Sequence, residues 1–216
     1  RLGEANSLQA IGDVQNFRDD RDAALDSYRQ ALELFRSVGS RLGEANSLQA
    51  IGDVQNFRKE MDAALVSYRQ ALELFRSVGS RLGEANSLKA IGDVQNFRDD
   101  RDAALVSYRQ ALELFRSVGD RLGEANVLLA QGDILREQRQ FAPAWEKYTQ
   151  VRALYAAIGD RYSLARVLYR MGDWHVEQGQ RQPAAEMYRQ AIDLWRSIGV
   201  DDLVESILMP RLQAVA

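Results

Sequence analysis

The chain repeats itself every 40 residues. Segments 1–40, 41–80 and 81–120 carry one text, RLGEANSLxAIGDVQNFRxxxDAALxSYRQALELFRSVG. The first two copies differ at four positions (Asp19/Lys59, Asp20/Glu60, Arg21/Met61, Asp26/Val66), and the first and third at three. Looser copies occupy 121–160 and 161–200, and a 16-residue tail follows. A period of about 20–50 residues marks stacked supersecondary units, each unable to bury its apolar face without a neighbour. The core of such a chain is distributed along a stack, which offers extended surface more readily than one enclosed site.

Each unit reads as two helices. Leu2, Ala5, Leu8, Ile11, Val14 and Phe17 advance by threes, and Ala24, Leu25, Tyr28, Ala31, Leu32, Phe35 and Val38 by threes and fours, so each series forms one helical stripe. The polar stretch Arg18–Asp22 between them is short enough only for an antiparallel hairpin. Gly39 is placed to end the second helix in the left-handed conformation. Ser40, Ser80, Asp120 and Asp160 are placed to cap the next helix, and Glu4 and its equivalents lie in a first turn, where the helix dipole favours an acid.

One residue in each first helix contradicts its surroundings. Gly12 recurs as Gly52, Gly92, Gly132 and Gly172, although glycine inside a helix costs about 1 kcal/mol relative to alanine. The repetition implies close approach of the partner helix. Ala24, Ala64, Ala104, Ala144 and Ala184 are the small residues expected at that crossing. Tyr28, Tyr68, Tyr108, Tyr148 and Tyr188 supply bulk one turn later, as core and not as a ligand cage.

Composition removes several function classes. A net charge of -3 gives no basic excess for nucleic acid. No run of eighteen apolar residues spans a membrane. Cysteine is absent and histidine occurs once, as His175, which argues against a transition-metal site and leaves a cytoplasmic location open. No nucleophile–base–orienter set and no phosphate loop stands out, so the reading is of a chain without catalysis, cofactor or metal. The first residues are already repeat text without an initiator Met, which reads as a segment of a longer protein.

The series Leu8, Ile11, Gly12, Ala24, Tyr28 and Ala31, recurring at 48–71, 88–111, 128–151 and 168–191, resembles the tetratricopeptide repeat over nearly the whole chain. Two departures stand out: the period is 40 and not the usual 34, and Arg18, Arg58, Arg98, Gln138 or Gln178 precedes the short turn, where the family often has an apolar residue. The SVGxRLGEA junction is similar to a longer-helix subclass found in cell-polarity scaffolds and in arrays attached to bacterial signalling ATPases and regulators. The resemblance implies an all-α, right-handed superhelical solenoid of five antiparallel hairpins, forming a single array over 1–216 with residues 201–216 as a C-terminal capping helix. It also implies a non-catalytic protein-interaction role, with a partner segment held on a concave groove lined by the first helices.

Carried over to this sequence, the groove positions are Asn6, Gln9, Asp13 and Asn16, with Phe17 at the edge; then Asn46, Gln49, Asp53 and Asn56; then Asn86, Lys89, Asp93 and Asn96. A carboxamide both donates and accepts, which suits the backbone of an extended peptide; ordinary solvated polar positions are the alternative. The ladder then changes to Asn126, Leu129, Asp133 and Arg136, and to Arg166, Tyr169, Arg170 and Val176. An extended partner with an acidic end and a neutral or basic stretch would complement both halves. The aspartates after each glycine argue against recognition of a C-terminal carboxylate in the first three units. Each of them is equally suited to bond a neighbouring Asn or Arg and set helix spacing.

The ends differ. Residues 201–209 read as a short amphipathic helix that Pro210 ends or kinks, covering the last hairpin. The first hairpin has no such cover beyond Asp26, where later copies carry Val66 and Val106. A rival reading follows, of a self-associating array that stacks through that end or exchanges a hairpin, with Val66 and Val106 as self-contacts. Recent duplication or an engineered origin, with no specific ligand for the near-identical part, is a third.

Overall fold

A computed structural model describes all residues from 1 to 216. They form two compact units, Arg1–Val118 and Gly119–Ala216. The first holds three hairpins: α1 (Leu2–Phe17) with α2 (Arg21–Ser37), α3 (Arg41–Phe57) with α4 (Met61–Ser77), and α5 (Arg81–Phe97) with α6 (Arg101–Val118). The second holds α7 (Arg121–Glu137) with α8 (Phe141–Ile158) and α9 (Arg161–Glu177) with α10 (Arg181–Arg196). Its tail consists of α11 (Asp201–Leu203), a π-helical stretch Val204–Leu208, and α12 (Met209–Val215). The chain is all-α, built from antiparallel hairpins in series, as the period predicts.

The punctuation is local chemistry. The Ser40 hydroxyl accepts from the Gly43 N–H at 3.4 Å, and the Asp120 and Asp160 carboxylates accept from the N–H groups of Gly123 and Ser163 at 2.9 Å. Gly39 sits at φ 69°, and Ser40 N–H reaches back to the Phe35 carbonyl at 2.9 Å, closing the helix end. The intra-hairpin turn holds a feature the polar stretch did not announce. Asp19, Lys59, Asp99 and Arg139 all adopt positive φ between 57° and 66°, and Gly179 takes that place in the fifth copy.

Within a hairpin the tyrosine lies across the glycine. A Cβ built on Gly12 would stand 2.6 Å from Tyr28 Cε1, and one on Gly52 the same distance from the Tyr68 ring. The close approach expected at Gly12 is therefore made by the tyrosine ring, while Ala24 and Ala64 lie in the core with no exposed surface. The junctions repeat the device: a Cβ on Gly43 or Gly83 would stand 2.3 Å from the ring of Phe35 or Phe75.

Between hairpins, Leu48, Ile51 and Val54 of α3 pack with Ala24, Leu25, Tyr28 and Leu32 of α2. Burying side chains of this size is worth about 1.5–3 kcal/mol each, which makes each hairpin dependent on its neighbour. The equivalent residues of α1 show the consequence. Ile11 and Val14 are 48% and 52% exposed, against 6% and 1% for Ile51 and Val54. Asp26 plays no part in softening this face, because its counterparts Val66 and Val106 are themselves exposed. At the other end the tail packs on α10, burying Val204, Leu208 and Val215 against a cluster that includes Tyr188, Ile192 and Trp195. Pro210 does not end the tail. The Met209 N–H shifts to the Val204 carbonyl, one residue beyond the α-helical partner, and α12 begins with the proline in its first turn.

Candidate functional site

The first helices touch one another inside each unit, α1 with α3, α3 with α5, and α7 with α9. Their polar residues therefore form a continuous ladder within a unit. The aspartate of every copy is anchored from beneath: Tyr28, Tyr68, Tyr108, Tyr148 and Tyr188 donate their hydroxyl protons to Asp13, Asp53, Asp93, Asp133 and Asp173 at 2.7–2.8 Å. The residue that sterically requires the glycine thus also holds the next side chain. Bonding to a neighbouring Asn or Arg is one of the two roles open to these aspartates from sequence; the tyrosine holds each of them, and an arginine joins it at Asp133 and Asp173. Burial and the adjacent carboxylate together hold the phenols of Tyr28, Tyr68, Tyr148 and Tyr188 well above the usual phenol range.

In unit 1 the upper rungs stay unspent. Asn6, Asn46 and Asn86 are exposed and make no side-chain hydrogen bond inside the protein. Asn16 accepts from Arg21 at 3.0 Å, Gln49 donates to Asp53 at 3.3 Å, and Ser87 donates to Gln49 at 2.7 Å. Lys89 turns along its own helix to Asp93 at 2.6 Å. Neighbouring groups desolvate the Asp53 carboxyl and raise it above the ordinary aspartate range, although its side chain keeps an edge open to solvent; the bonds from Tyr68 and Gln49 and the charge of Lys89 oppose the rise, and Asp93 adds to it. Gln9, Asn56 and Asn96 are half-buried beside these groups, and Phe17, Phe57 and Phe97 are exposed at the helix ends, with the Arg21 guanidinium 3.2 Å from the Phe57 ring centre.

In unit 2 the same ladder is occupied from within. Asn126 accepts from the hydroxyl of Tyr155, which stands where earlier copies have phenylalanine, at 2.8 Å. Arg170 Nε donates to Asp133 at 2.6 Å and its Nη1 reaches the Tyr169 hydroxyl. Arg136 pairs with Glu177 at 3.4 Å and Asp173 at 3.7 Å, and Arg211 of the tail donates to Asp173 at 2.9 Å. Arg166 alone among these arginines makes no hydrogen bond or ion pair. The arginines that distinguish copies four and five are mostly tied to the protein's own aspartates.

Two elements of this site escaped sequence reasoning, and both left a trace. Gly-Asp is followed fifteen residues after the aspartate by tyrosine in all five copies. Gln15, Gln55 and Gln95 accept at 2.7 Å from Ser27, Ser67 and Ser107, and both partners change together in copies four and five, to Leu135/Lys147 and His175/Met187.

The family pattern described as tetratricopeptide repeat matches residues 43–117 and 123–197. No curated protein matches the sequence. Among solved structures, the chain is similar to BtubC (BKLC) from P. vanneervenii, with 13% identity and a TM-score of 0.71 over 89% of this chain and 86% of that one. It is similar to the apo form of RapI at 15% identity and a TM-score of 0.73, over 92% of this chain and 85% of that one. A Rap protein complexed with competence and sporulation factor superposes at 15% identity and a TM-score of 0.79, over 98% of this chain and 62% of that one. Identities this low speak to the fold alone. The family match takes in most of the chain and both units, and the glycine–tyrosine hairpins repeat through it: this chain belongs to the tetratricopeptide repeat family.

Proposed function

We propose that this chain is a protein-interaction module whose first-helix face in unit 1 holds an extended segment of a partner, as one part of a larger regulatory or scaffolding protein in the cytoplasm. The observation that carries the reading is the contrast between units. Asn6, Asn46 and Asn86 leave their amides unused on the surface, while Asn126 in the same register is bonded to Tyr155. A row of unsatisfied carboxamides matches the alternating donors and acceptors of an extended backbone. A protein of the same fold, crystallised with competence and sporulation factor, supports the use of such a fold for binding. No role in catalysis is assigned, because the ladder's acids are held by tyrosines and offer no nucleophile with an oriented base.

The test is partner capture from a lysate by the whole chain, with Asn46→Ala/Asn86→Ala as control bait, followed by mapping of the bound segment. Equal capture by the two baits removes the groove reading. The bare apolar face of Ile11 and Val14 favours a second reading, stacking of one chain on another through α1. Light scattering that gives one monomer mass over a wide concentration range removes that one.

A further inference from the structure

The two units handle one carboxylate differently, and the difference identifies a ligand group. In unit 2 each ladder aspartate takes a guanidinium from a later helix, Asp133 of α7 from α9 and Asp173 of α9 from α12. Arg170 lies 37 residues beyond Asp133, and Arg211 lies 38 beyond Asp173; their Nε atoms donate at 2.6 and 2.9 Å. These are charge-assisted bonds to carboxylates already oriented by Tyr148 and Tyr188. The same 37-residue step from Asp13 and Asp53 lands on Ala50 and Ala90, half-buried methyl groups that cannot reach them. Asp13 and Asp53 keep the tyrosine bond and have no cation within ion-pair distance, and Lys89, the nearest candidate for Asp53, is engaged with Asp93. Both aspartates are correspondingly exposed, whereas Asp133 and Asp173 are half-covered.

We propose that Asp13 and Asp53 receive two arginine side chains of an extended partner segment, seated over Ala50 and Ala90 as Arg170 is seated against Asp133. The inference rests on the groove reading above and names what the groove selects. Spacing follows from the packing. Directly packed helices stand about 8–10 Å apart. A polyproline-II chain rises about 3.1 Å per residue with three residues per turn, so positions i and i+3 share a side about 9 Å apart. An Arg-x-x-Arg segment in that conformation presents one guanidinium to each aspartate, with Asn46 beside its backbone. Arginine is favoured over lysine because the internal precedents are guanidinium groups, whose planar fork suits a carboxylate already holding one bond.

The experiment is fluorescence anisotropy of a fluorescein-labelled peptide containing Arg-Pro-Pro-Arg, titrated with the whole chain, beside the same peptide carrying citrulline in place of both arginines. The arginine peptide is expected to bind about tenfold or more tighter, with the gap closing in Asp13→Asn/Asp53→Asn and at raised salt. A second variant, Ala50→Arg/Ala90→Arg, supplies the guanidinium from within and is expected to lose the arginine peptide while keeping the wild-type circular dichroism. Equal affinity for the two peptides overturns the inference, as does an unchanged preference in the asparagine variant or undiminished binding by the folded arginine variant. Equal binding of both peptides that is lost in Asn46→Ala/Asn86→Ala leaves the groove reading standing without the guanidinium. Binding of neither peptide also overturns the inference, and partner capture then judges the groove on its own.

Discussion

The ring of Tyr68 lies across Gly52, and its hydroxyl donates to Asp53 at 2.8 Å. One side chain thus joins the packing of a hairpin to the polar face that the hairpin displays, and the arrangement recurs in all five copies. Changes to the core therefore reach the ladder, and changes to the ladder reach the core.

Gly52→Ala is expected to destabilise the protein in spite of alanine's better helix propensity. Alanine gains about 1 kcal/mol in a helix interior. Its Cβ would stand 2.6 Å from a ring atom of Tyr68, which is buried and cannot rotate away without giving up Asp53. Overpacking and a lost charge-assisted bond together cost about 3 kcal/mol or more, a net loss of about 2 kcal/mol. Urea denaturation followed by circular dichroism measures it; a midpoint equal to or above wild type contradicts the steric account.

Two isosteric substitutions separate free from occupied rungs. Asp53→Asn keeps an acceptor for Tyr68 and removes a carboxylate whose charge is disfavoured by the desolvating groups around it and by Asp93, so the melting temperature is expected to hold or rise slightly. Asp133→Asn strips the carboxylate from Arg170, a pair whose side chains are only 21% and 22% exposed, and a loss of about 2 kcal/mol is expected. Equal effects at the two positions would mean that the ladder is uniform after all.

Alkaline pH is expected to unfold the protein cooperatively. The phenols of Tyr28, Tyr68, Tyr148 and Tyr188 are raised in the folded state, so the neutral form is favoured there. Their contribution is whole below the unfolded phenol value of about 10 and is lost as pH rises from there toward the folded values. Tyrosinate absorbance should appear together with loss of helical circular dichroism. Titration of these phenols with the helices intact contradicts the hydrogen-bonded assignment.

Lys59→Gly is expected to stabilise. Lys59 sits at φ 61°, a region that costs a residue bearing a Cβ about 1 kcal/mol or more, whereas Gly179 occupies the same turn position in the fifth copy. Part of the gain is returned through the greater freedom of glycine in the unfolded chain, leaving a few tenths to about 1 kcal/mol. Thermal unfolding reads it directly, and a lowered midpoint refutes the strain.

Helix boundaries, caps and hairpin order were legible because they depend on contacts within a few residues: Ser40 with Gly43, Gly39 with Arg36, and the apolar stripe of each helix. The amphipathic pattern of the tail was legible too, and its apolar residues Val204 and Leu208 pack on α10. The candidate site was legible only as a list of polar positions. Identical letters carry different states: Asn46 is free and Asn126 is bound, and Asp53 lacks the cation that Asp133 has.

By itself, then, the 40-residue period determined that this chain stacks antiparallel hairpins, because burial of one helix face requires an identical neighbour. Tertiary structure alone decided which rungs of the ladder are available. The tyrosine 15 residues on holds the aspartate in every copy, and a rung is closed where an arginine also reaches it, as Arg170 reaches Asp133 from 37 residues away. Separations of that kind become contacts only when helices are laid side by side, and at Asp13 and Asp53 the longer of the two contacts has no side chain to make it.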